Sequence, residues 1–373
     1  MTKAIMVKKR PNKFRWLDAM IANRRWAEAD RHSSVMKALV ILGAIAIAIS
    51  LIGFIPRGAA ADRENDPDHY KWPEQIPYPA DNPYSEVKLK LGGMLFFDPI
   101  LSGSGSRSCA NCHNPGLSWA DGQPRAVGLA QEQLPLRTPT LLGVAWIPKL
   151  GWNGHFRDLE SVAITPITSP KMMNLAEASM VERLSAIPGY VDAFKNAFGS
   201  PEIDRGKIEQ ALATFERSIM PSRARFDSFI DGDKTAIDQS AARGFDLFNG
   251  KANCAACHSG WAFTDASFHD IGSAKGDDRG RGNLFANSVM LQYAFKTPTL
   301  RDIARRAPYM HDGSVPTLDA VIDLYDRGGI DRPSRSPEIH PLGLTNTEKA
   351  DLIAFLQTLT GEPAVIQYPM LPR

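Results

Sequence analysis

The chain contains two copies of a short pattern in which a pair of cysteines is followed directly by a histidine. Together the copies hold all four cysteines of the chain: Cys109, Cys112 and His113, then Cys254, Cys257 and His258. Two thiols at this spacing can add to the two vinyl groups of one haem, and the adjacent histidine can then bind the iron. A bare cysteine pair would also suit a redox dithiol or half of a zinc site, but the histidine, present twice, disfavours both. The sequence therefore predicts two covalently bound c-type haems, with His113 and His258 as iron ligands.

The stretches around these motifs have helical patterns, and no stretch shows the sustained alternation of a strand. Residues 85–97 (SEVKLKLGGMLFF) carry apolar side chains at helical spacing and end at a proline, Pro99, that cannot continue a helix. Residues 241–248 repeat this helix-before-motif arrangement, and residues 345–360 form a capped amphipathic pattern closed by Gly361. We therefore predict a mainly α fold.

An internal repeat relates the two halves of the chain. The segment TPTL occurs at 138–141 and again at 297–300. Beyond it, matching offsets carry identical or similar residues: Ala145 and Ala304, Asn153-Gly154 and Asp312-Gly313, Leu159 and Leu318, and Val162 and Val321. Two tandem cytochrome c-like haem domains explain this repeat better than one domain with two haems. We place them at 83–225 and 226–373, joined near Pro221.

The repeat also predicts that the two haems differ. Tyr325 follows the Asp-Gly pair of the second copy by twelve residues, and the same offset in the first copy is Pro166. A phenolic oxygen can bind iron, whereas proline has no atom that can. The second haem is therefore predicted to be six-coordinate through His258 and Tyr325, and the first to be open opposite His113. On composition alone, Tyr325 would more often be a packing or surface residue.

The N-terminal sequence predicts that the haem domains are exported from the cytoplasm. Residues 38–55 (ALVILGAIAIAISLIGFI) are uncharged and long enough to cross a bilayer as a helix. Residues 1–37 carry ten Lys or Arg against three acids, a balance of +7, so the remainder of this +2 chain is about −5 (2 − 7). The positive-inside rule then places residues 1–37 in the cytoplasm as a basic segment. The alanines at 59–61 also allow a cleaved signal peptide; we favour an anchor in the inner membrane followed by a linker over 56–82.

From about residue 85 to 361 the chain resembles the bacterial dihaem cytochrome c peroxidases and their MauG-type relatives. The resemblance rests on the two haem motifs and on LGGMLFFDP, RTPTLLGVAW, WNG, ALATFERSI, FDSFIDGD, KTPTLRDIA and APYMHDGSV. It implies a first haem where peroxide reacts, a second haem that transfers electrons, and a tryptophan between them. Trp152 stands at that position, although alone it would suit a core position. MauG-type enzymes carry tyrosine where Tyr325 stands, and the peroxidases carry methionine, so the resemblance favours the MauG-type branch.

The expected distal side of the first haem departs from the family pattern. The glutamine and glutamate that line the family's peroxide pocket are replaced by Val162 and Met172, neither of which can carry a proton. Met172 has two interpretations, as an apolar lining residue or as a ligand of the first iron. His155, close to Trp152, would be a replacement proton carrier or an ordinary polar residue.

Further departures concern calcium and the partner. The family binds calcium through an asparagine whose position is held here by Arg137, which argues against calcium. The surface tryptophan used for protein oxidation is replaced by Ala252, although Trp261 is close in sequence. The resemblance implies a periplasmic electron donor such as a small cytochrome c or a cupredoxin. The charge distribution gives no basic face for nucleic acid, and a homodimer is among the assemblies that the sequence allows.

These observations predict a periplasmic dihaem oxidoreductase that passes electrons from a partner through the second haem to the first, where peroxide or a related oxidant is reduced. Two alternatives are kept: a non-catalytic dihaem electron carrier with a degenerate peroxidase pocket, and an oxidase of a protein or small organic substrate. A carrier should have two six-coordinate haems, whereas an enzyme should have one open haem.

Overall fold

The computed structural model describes residues 67–372, and this part of the chain is mainly helical. It contains nine α-helices: α1 Glu86–Phe97, α2 Leu159–Thr168, α3 Glu177–Ser185, α4 Pro188–Phe198, α5 Arg205–Arg217, α6 Arg225–Ile230, α7 Gln239–Asn249, α8 Leu318–Asp326 and α9 Asn346–Gln357. Two short antiparallel strands, β1 Phe268–His269 and β2 Phe295–Lys296, pair with Phe268 opposite Lys296 and His269 opposite Phe295. The predicted mainly α class is confirmed.

The helix boundaries follow from capping groups that the sequence carries. The Ser85 side chain accepts a hydrogen bond from the Lys88 amide at the start of α1, and this helix ends at Phe97, two residues before Pro99. At α9 the Thr345 hydroxyl accepts from the Glu348 amide (3.2 Å), and the Glu348 carboxylate accepts from the Thr345 amide (2.7 Å). Such reciprocal capping satisfies amides that have no partner within the helix.

The two largest hydrophobic clusters of the described residues lie in different parts of the chain, which we call the first and second modules. The first cluster combines buried side chains of α1, α2, α3, α4 and α5 between Leu91 and Ile219. The second combines buried side chains of α6, α7, α8 and α9 between Phe226 and Leu359. The last residues of the chain return to the first module, where Tyr368 packs edge-on against Phe97 at 5.0 Å between ring centroids.

The same helix crossing is built in both modules. In the first, α1 crosses α5 where a Cβ at Gly92 would lie 2.0 Å from the Ala211 carbonyl oxygen and 2.8 Å from the Phe215 Cβ. In the second, α7 crosses α9 where a Cβ at Gly244 would lie 2.0 Å from the Asp351 carbonyl oxygen and 2.8 Å from the Phe355 Cβ. Only glycine allows the two backbones to approach so closely. Because Gly92 and Gly244 hold the same place in the two crossings, Ala211 and Phe215 of α5 correspond to Asp351 and Phe355 of α9.

Two residues in the described end of the predicted linker are packed, Tyr70 against the second module and Asn82 against the first. Tyr70 is fully buried in the second cluster, and its hydroxyl donates to the Asn249 side chain at 2.7 Å. Asn82 is also buried and accepts from the Lys88 ammonium at 2.6 Å. Tyr70 and Asn82 therefore fix residues 67–82 to both modules at two points.

The predicted membrane segment lies elsewhere in the chain. Within residues 67–372, no helix combines the length and the apolar character needed to cross a bilayer. The expected basic segment 1–37, the apolar run 38–55 and the start of the linker lie outside the described residues.

A buried ion pair supports the loop that follows the second motif. Arg301 and Asp227 are 1% and 2% exposed, and the Arg301 guanidinium donates to the Asp227 carboxylate at 2.9 Å. The Arg301 Nε also donates to the Trp261 carbonyl oxygen at 2.6 Å, three residues after His258. Removing one member of such a pair leaves a buried charge without its partner.

We therefore expect Arg301→Met to lower the free energy of unfolding by about 3–5 kcal/mol, measured by denaturant titration. The double variant Arg301→Met/Asp227→Leu should lose less than the single variant, because no uncompensated carboxylate remains. The control Arg205→Met removes a surface arginine that pairs with Glu177 and Glu209, and should cost less than about 1 kcal/mol. Equal losses in Arg301→Met and in the control would contradict this assignment.

Candidate haem sites

Each motif forms one tight turn that brings its thiols and imidazole together. The His113 amide donates to the Cys109 carbonyl oxygen at 2.9 Å, and the His258 amide donates to the Cys254 carbonyl oxygen at 2.9 Å. Because the same backbone hydrogen bond closes both turns, each motif holds its two cysteines and its histidine on one turn. The turns provide what covalent attachment of a haem requires, two thiols and an adjacent imidazole.

A backbone carbonyl orients each histidine. The His113 Nδ1 lies 3.2 Å from the Trp119 carbonyl oxygen, and the His258 Nδ1 lies 2.9 Å from the Phe263 carbonyl oxygen. With Nδ1 donating to the carbonyl, Nε2 is left as the metal-binding nitrogen, as is usual for ligating histidines. Burial lowers the pKa of both imidazoles and so favours the neutral, ligating form.

The cysteine environments argue against a redox dithiol. Burial raises the pKa of the Cys109 and Cys112 thiols, and it raises the pKa of Cys254 to about 12. Reactive dithiols need the opposite, a thiol whose pKa is lowered so that the thiolate forms at neutral pH. These cysteines are therefore better suited to thioether attachment than to thiol exchange.

A large cavity beside the second motif joins the predicted haem groups. Cys254, Cys257, His258 and Tyr325 all line it, and Tyr325 is supplied by α8. Apolar side chains cover much of its wall: Phe248, Leu300, Leu318, Val321, Ile322, Leu352 and Leu356. Burial raises the pKa of the Tyr325 phenol. The cavity therefore brings together the attachment cysteines, one histidine and one phenol within an apolar wall, as a haem would require.

Two buried arginines in the wall of this cavity show whether its charge suits a haem. Arg137 and Arg306 line it, each with a buried Nε that has no hydrogen-bond partner among residues 67–372. Burial lowers the pKa of Arg306 to about 10. Unpaired cationic N–H groups beside an apolar cavity are expected where an anionic group completes the site. Haem propionates would supply that charge, so the residues fit the cofactor. The calcium prediction that rested on Arg137 is untested and stays a prediction.

The residues expected on the open side of the first haem lie on α2 and in the loop after it. Val162 is half-buried and packs with Val144, Leu150 and Leu159, and Pro166 lies inside the same helix. Met172 is half-buried in the following loop, where its amide donates to the Ser169 carbonyl oxygen at 3.0 Å. Ligation of the first iron by Met172 stays a prediction.

Trp152 lies where the modules meet. Its indole Nε1 donates to the Arg137 carbonyl oxygen at 2.9 Å in the first module, and its own carbonyl accepts from the Lys296 amide at 2.8 Å in the second. It also lines the cavity beside the second motif. His155 is exposed and its ring packs edge-on against Phe156 at 5.0 Å. The proposed roles of both residues stay predictions.

Three groups near the sites were not found from the sequence. His269 pairs with the Asp265 carboxylate at 2.7 Å, which raises the pKa of this imidazole to about 10, and it lines the cavity beside the second motif. Although these two side chains lie near the Cys257 sulfur, that sulfur is assigned to haem attachment and not to a metal cluster. Arg306 and Glu216 were missed as well. For Glu216 the sequence did carry a signal of burial. In the segment ALATFERSI, this acid follows a run of residues expected in the core.

The fold and the two sites define a dihaem c-type protein. Residues 86–235 match the family described as di-haem cytochrome c peroxidase, and residues 241–360 match the cytochrome c family. The predicted pair of cytochrome c-type domains and the two c-type haems are thereby confirmed.

Similar proteins identify the family. The chain is 52% identical over 305 residues to methylamine utilization protein MauG of Methylorubrum extorquens, covering 81% of this chain and 86% of that protein. It is 33% identical to cytochrome c551 peroxidase of Nitrosomonas europaea, covering 79% and 86%. A crystal structure of a MauG-like protein associated with microbial copper homeostasis matches with a TM-score of 0.72 and 32% identity, covering 79% and 95%. The chain therefore belongs to the dihaem cytochrome c peroxidase/MauG family, and it is a dihaem oxidoreductase.

Proposed function

We propose that this chain is a MauG-type oxidoreductase whose two haems have different tasks. Cys254, Cys257, His258 and Tyr325 would hold the second haem, which would supply electron exchange with a partner. Cys109, Cys112 and His113 would hold the first haem, and no residue is assigned as its second ligand. When bound, this haem supplies the iron at which hydrogen peroxide or a related oxidant is reduced.

One observation carries this proposal. Tyr325 lines the same cavity as Cys254, Cys257 and His258, so a phenolic oxygen is available there. Its counterpart in the repeat, Pro166 of α2, offers no ligating atom. A haem with a free axial position can bind an oxidant, whereas a six-coordinate haem suits electron transfer. The asymmetry favours an enzyme over a carrier.

Trp152, Arg137 and Arg306 have supporting roles in this proposal. Trp152, hydrogen-bonded to the first module through Arg137 and to the second through Lys296, is our candidate for the electron relay between the sites. The buried cations Arg137 and Arg306 would hold the propionates of the second haem. Electrons would come from a small cytochrome c or a cupredoxin in the periplasm, where residues 38–55 would anchor the enzyme to the inner membrane.

An EPR spectrum of the oxidised protein before and after hydrogen peroxide tests the proposal. We expect one high-spin and one low-spin ferric signal, with the high-spin signal lost when peroxide is added. Two low-spin signals that peroxide does not change would contradict it. Met172 would then be the candidate sixth ligand of a dihaem electron carrier.

The relative named for methylamine utilization suggests the process. At 52% identity over most of both chains, we propose that this chain also acts in methylamine utilization. Expression of the chain in a Methylorubrum extorquens strain that lacks its MauG should restore growth on methylamine. A variant with Cys109→Ser and Cys112→Ser, which cannot attach the first haem, is the control and should not restore growth. Failure of the unaltered chain, when it carries both haems, would contradict this role.

A further inference from the structure

Glu216 is a buried acid without a partner in the first module. It lies on α5, is 8% exposed, and its Oε2 has no hydrogen-bond partner among residues 67–372. The adjacent Arg217 does not neutralise it, because the Arg217 guanidinium is engaged by the Glu160 carboxylate in two hydrogen bonds of 2.7 Å. A carboxyl group buried in this way needs an explanation, since desolvation of an unpaired acid is costly.

The internal symmetry shows what Glu216 faces. The two glycine crossings align Phe215 of α5 with Phe355 of α9, so the next residue in each helix, Glu216 and Leu356, is equivalent. Leu356 lines the cavity of the second haem site. Glu216 therefore occupies the position of a haem-lining residue in the first module, with a carboxyl group where the second module has an apolar side chain.

A second observation supports the same placement. Burial, and after it the charge of Glu216, raises the pKa of the Cys109 thiol. The carboxyl group is thus close enough to the first attachment cysteine for their charges to interact. Cys109 and Glu216 approach the first haem site from different elements, the motif turn and α5.

We propose that Glu216 is the proton-donating carboxyl group of the first haem site, in place of the acid that Val162 and Met172 cannot supply. The inference rests on the proposed peroxide-reducing function. In the overall reaction, hydrogen peroxide takes up two electrons from the partner protein and two protons, its O–O bond breaks, and two water molecules form. Glu216 gives one proton to the departing oxygen and is protonated again from solvent, which also supplies the other proton.

The charge environment of Glu216 is compatible with this role. Burial raises the pKa of Glu216 to about 8, with Glu160 of α2 adding to the rise and Arg217 of α5 opposing it. Cys109 is uncharged once it carries haem. The carboxyl group is therefore protonated at neutral pH, and the proton donor is lost as the pH rises through about 8.

The test compares Glu216→Leu, which copies Leu356, and Glu216→Gln with the control Glu209→Gln on the outer part of the same helix. All are used as holoproteins with both haems. We expect peroxide reduction by each Glu216 variant to fall about 10²–10⁴-fold, and the control to match the unaltered protein. The fall in rate above about pH 8 should be absent from both Glu216 variants.

A second readout keeps the inference apart from the proposed function. Titration of the first haem's absorption spectrum should show a transition near pH 8 that is absent from Glu216→Gln. If the unaltered protein does not reduce peroxide, the proposed function fails, and this titration alone decides whether Glu216 faces the haem. If peroxide is reduced and both variants stay within threefold of the unaltered rate, or if the spectral transition persists in Glu216→Gln, the inference is overturned. Should Glu216→Leu fail to fold, Glu216→Gln carries both readouts.

Discussion

Replacing Tyr325 with phenylalanine is expected to change the second haem from a low-spin to a high-spin ferric centre. The phenolic oxygen is the atom that we assign as second axial ligand, and Phe keeps the ring while removing that oxygen. Tyr325 lines the cavity together with His258, within a wall made mostly of apolar side chains. No other side chain of α8 that lines this cavity can bind iron: these are Leu318, Val321 and Ile322.

The measurement is an EPR spectrum of the oxidised variant, with the electron-transfer rate from a reduced donor as a second readout. Tyr325→Met should keep the low-spin signal and raise the reduction potential, because methionine ligation favours the ferrous state relative to tyrosinate. The control is Tyr309→Phe. Tyr309 lines the same cavity, but its hydroxyl donates to the Ile303 carbonyl oxygen at 3.1 Å, so its loss should leave the spectrum unchanged. A low-spin second haem in Tyr325→Phe would contradict the assignment of Tyr325 as the second axial ligand.

Gly244→Ala is expected to destabilise the second module by about 3 kcal/mol, because the added methyl group has no space at the α7–α9 crossing. Its Cβ would lie 2.0 Å from the Asp351 carbonyl oxygen, which is backbone and cannot turn away. The two helices must therefore separate, and the apolar contacts around Phe355 are weakened. Arg243 pairs with Asp351 at the same crossing, at 2.7 Å, so separation also strains this ion pair.

Denaturant unfolding followed by circular dichroism measures the effect, and haem content reports whether attachment still takes place. The control Gly206→Ala is in the first turn of α5, where the nearest atom to the added Cβ is the Asp204 carboxylate oxygen at 3.4 Å. That variant should be neutral or more stable by up to about 1 kcal/mol, since alanine favours the helix. If Gly244→Ala unfolds at the same denaturant concentration as the control, the close crossing is not a stability requirement.

The chemistry of attachment could be predicted from the sequence because it is local. Two cysteines and a histidine within five residues fall on one turn whatever the rest of the chain does, and the structure has that turn at Cys109 and at Cys254. Helix ends were also predictable, since Ser85 and Thr345 cap helices through contacts three residues away. The repeat at 138–141 and 297–300 indicated two related domains before any packing was known.

Only the tertiary structure decided which side chains surround these turns. Tyr70, in a segment predicted as a linker, is buried against a helix that contains Asn249, 179 residues later. Arg306 and Glu216 are buried without full hydrogen bonding, and nothing in the local sequence of Arg306 distinguishes it from a surface charge. The burial of Glu216 depends on the crossing of α5 with α1, two helices distant in the sequence, and that crossing depends on Gly92, whose missing side chain lets the backbones approach. The spacing of residues therefore predicts where haem is attached, while non-local packing determines which charged side chains are buried.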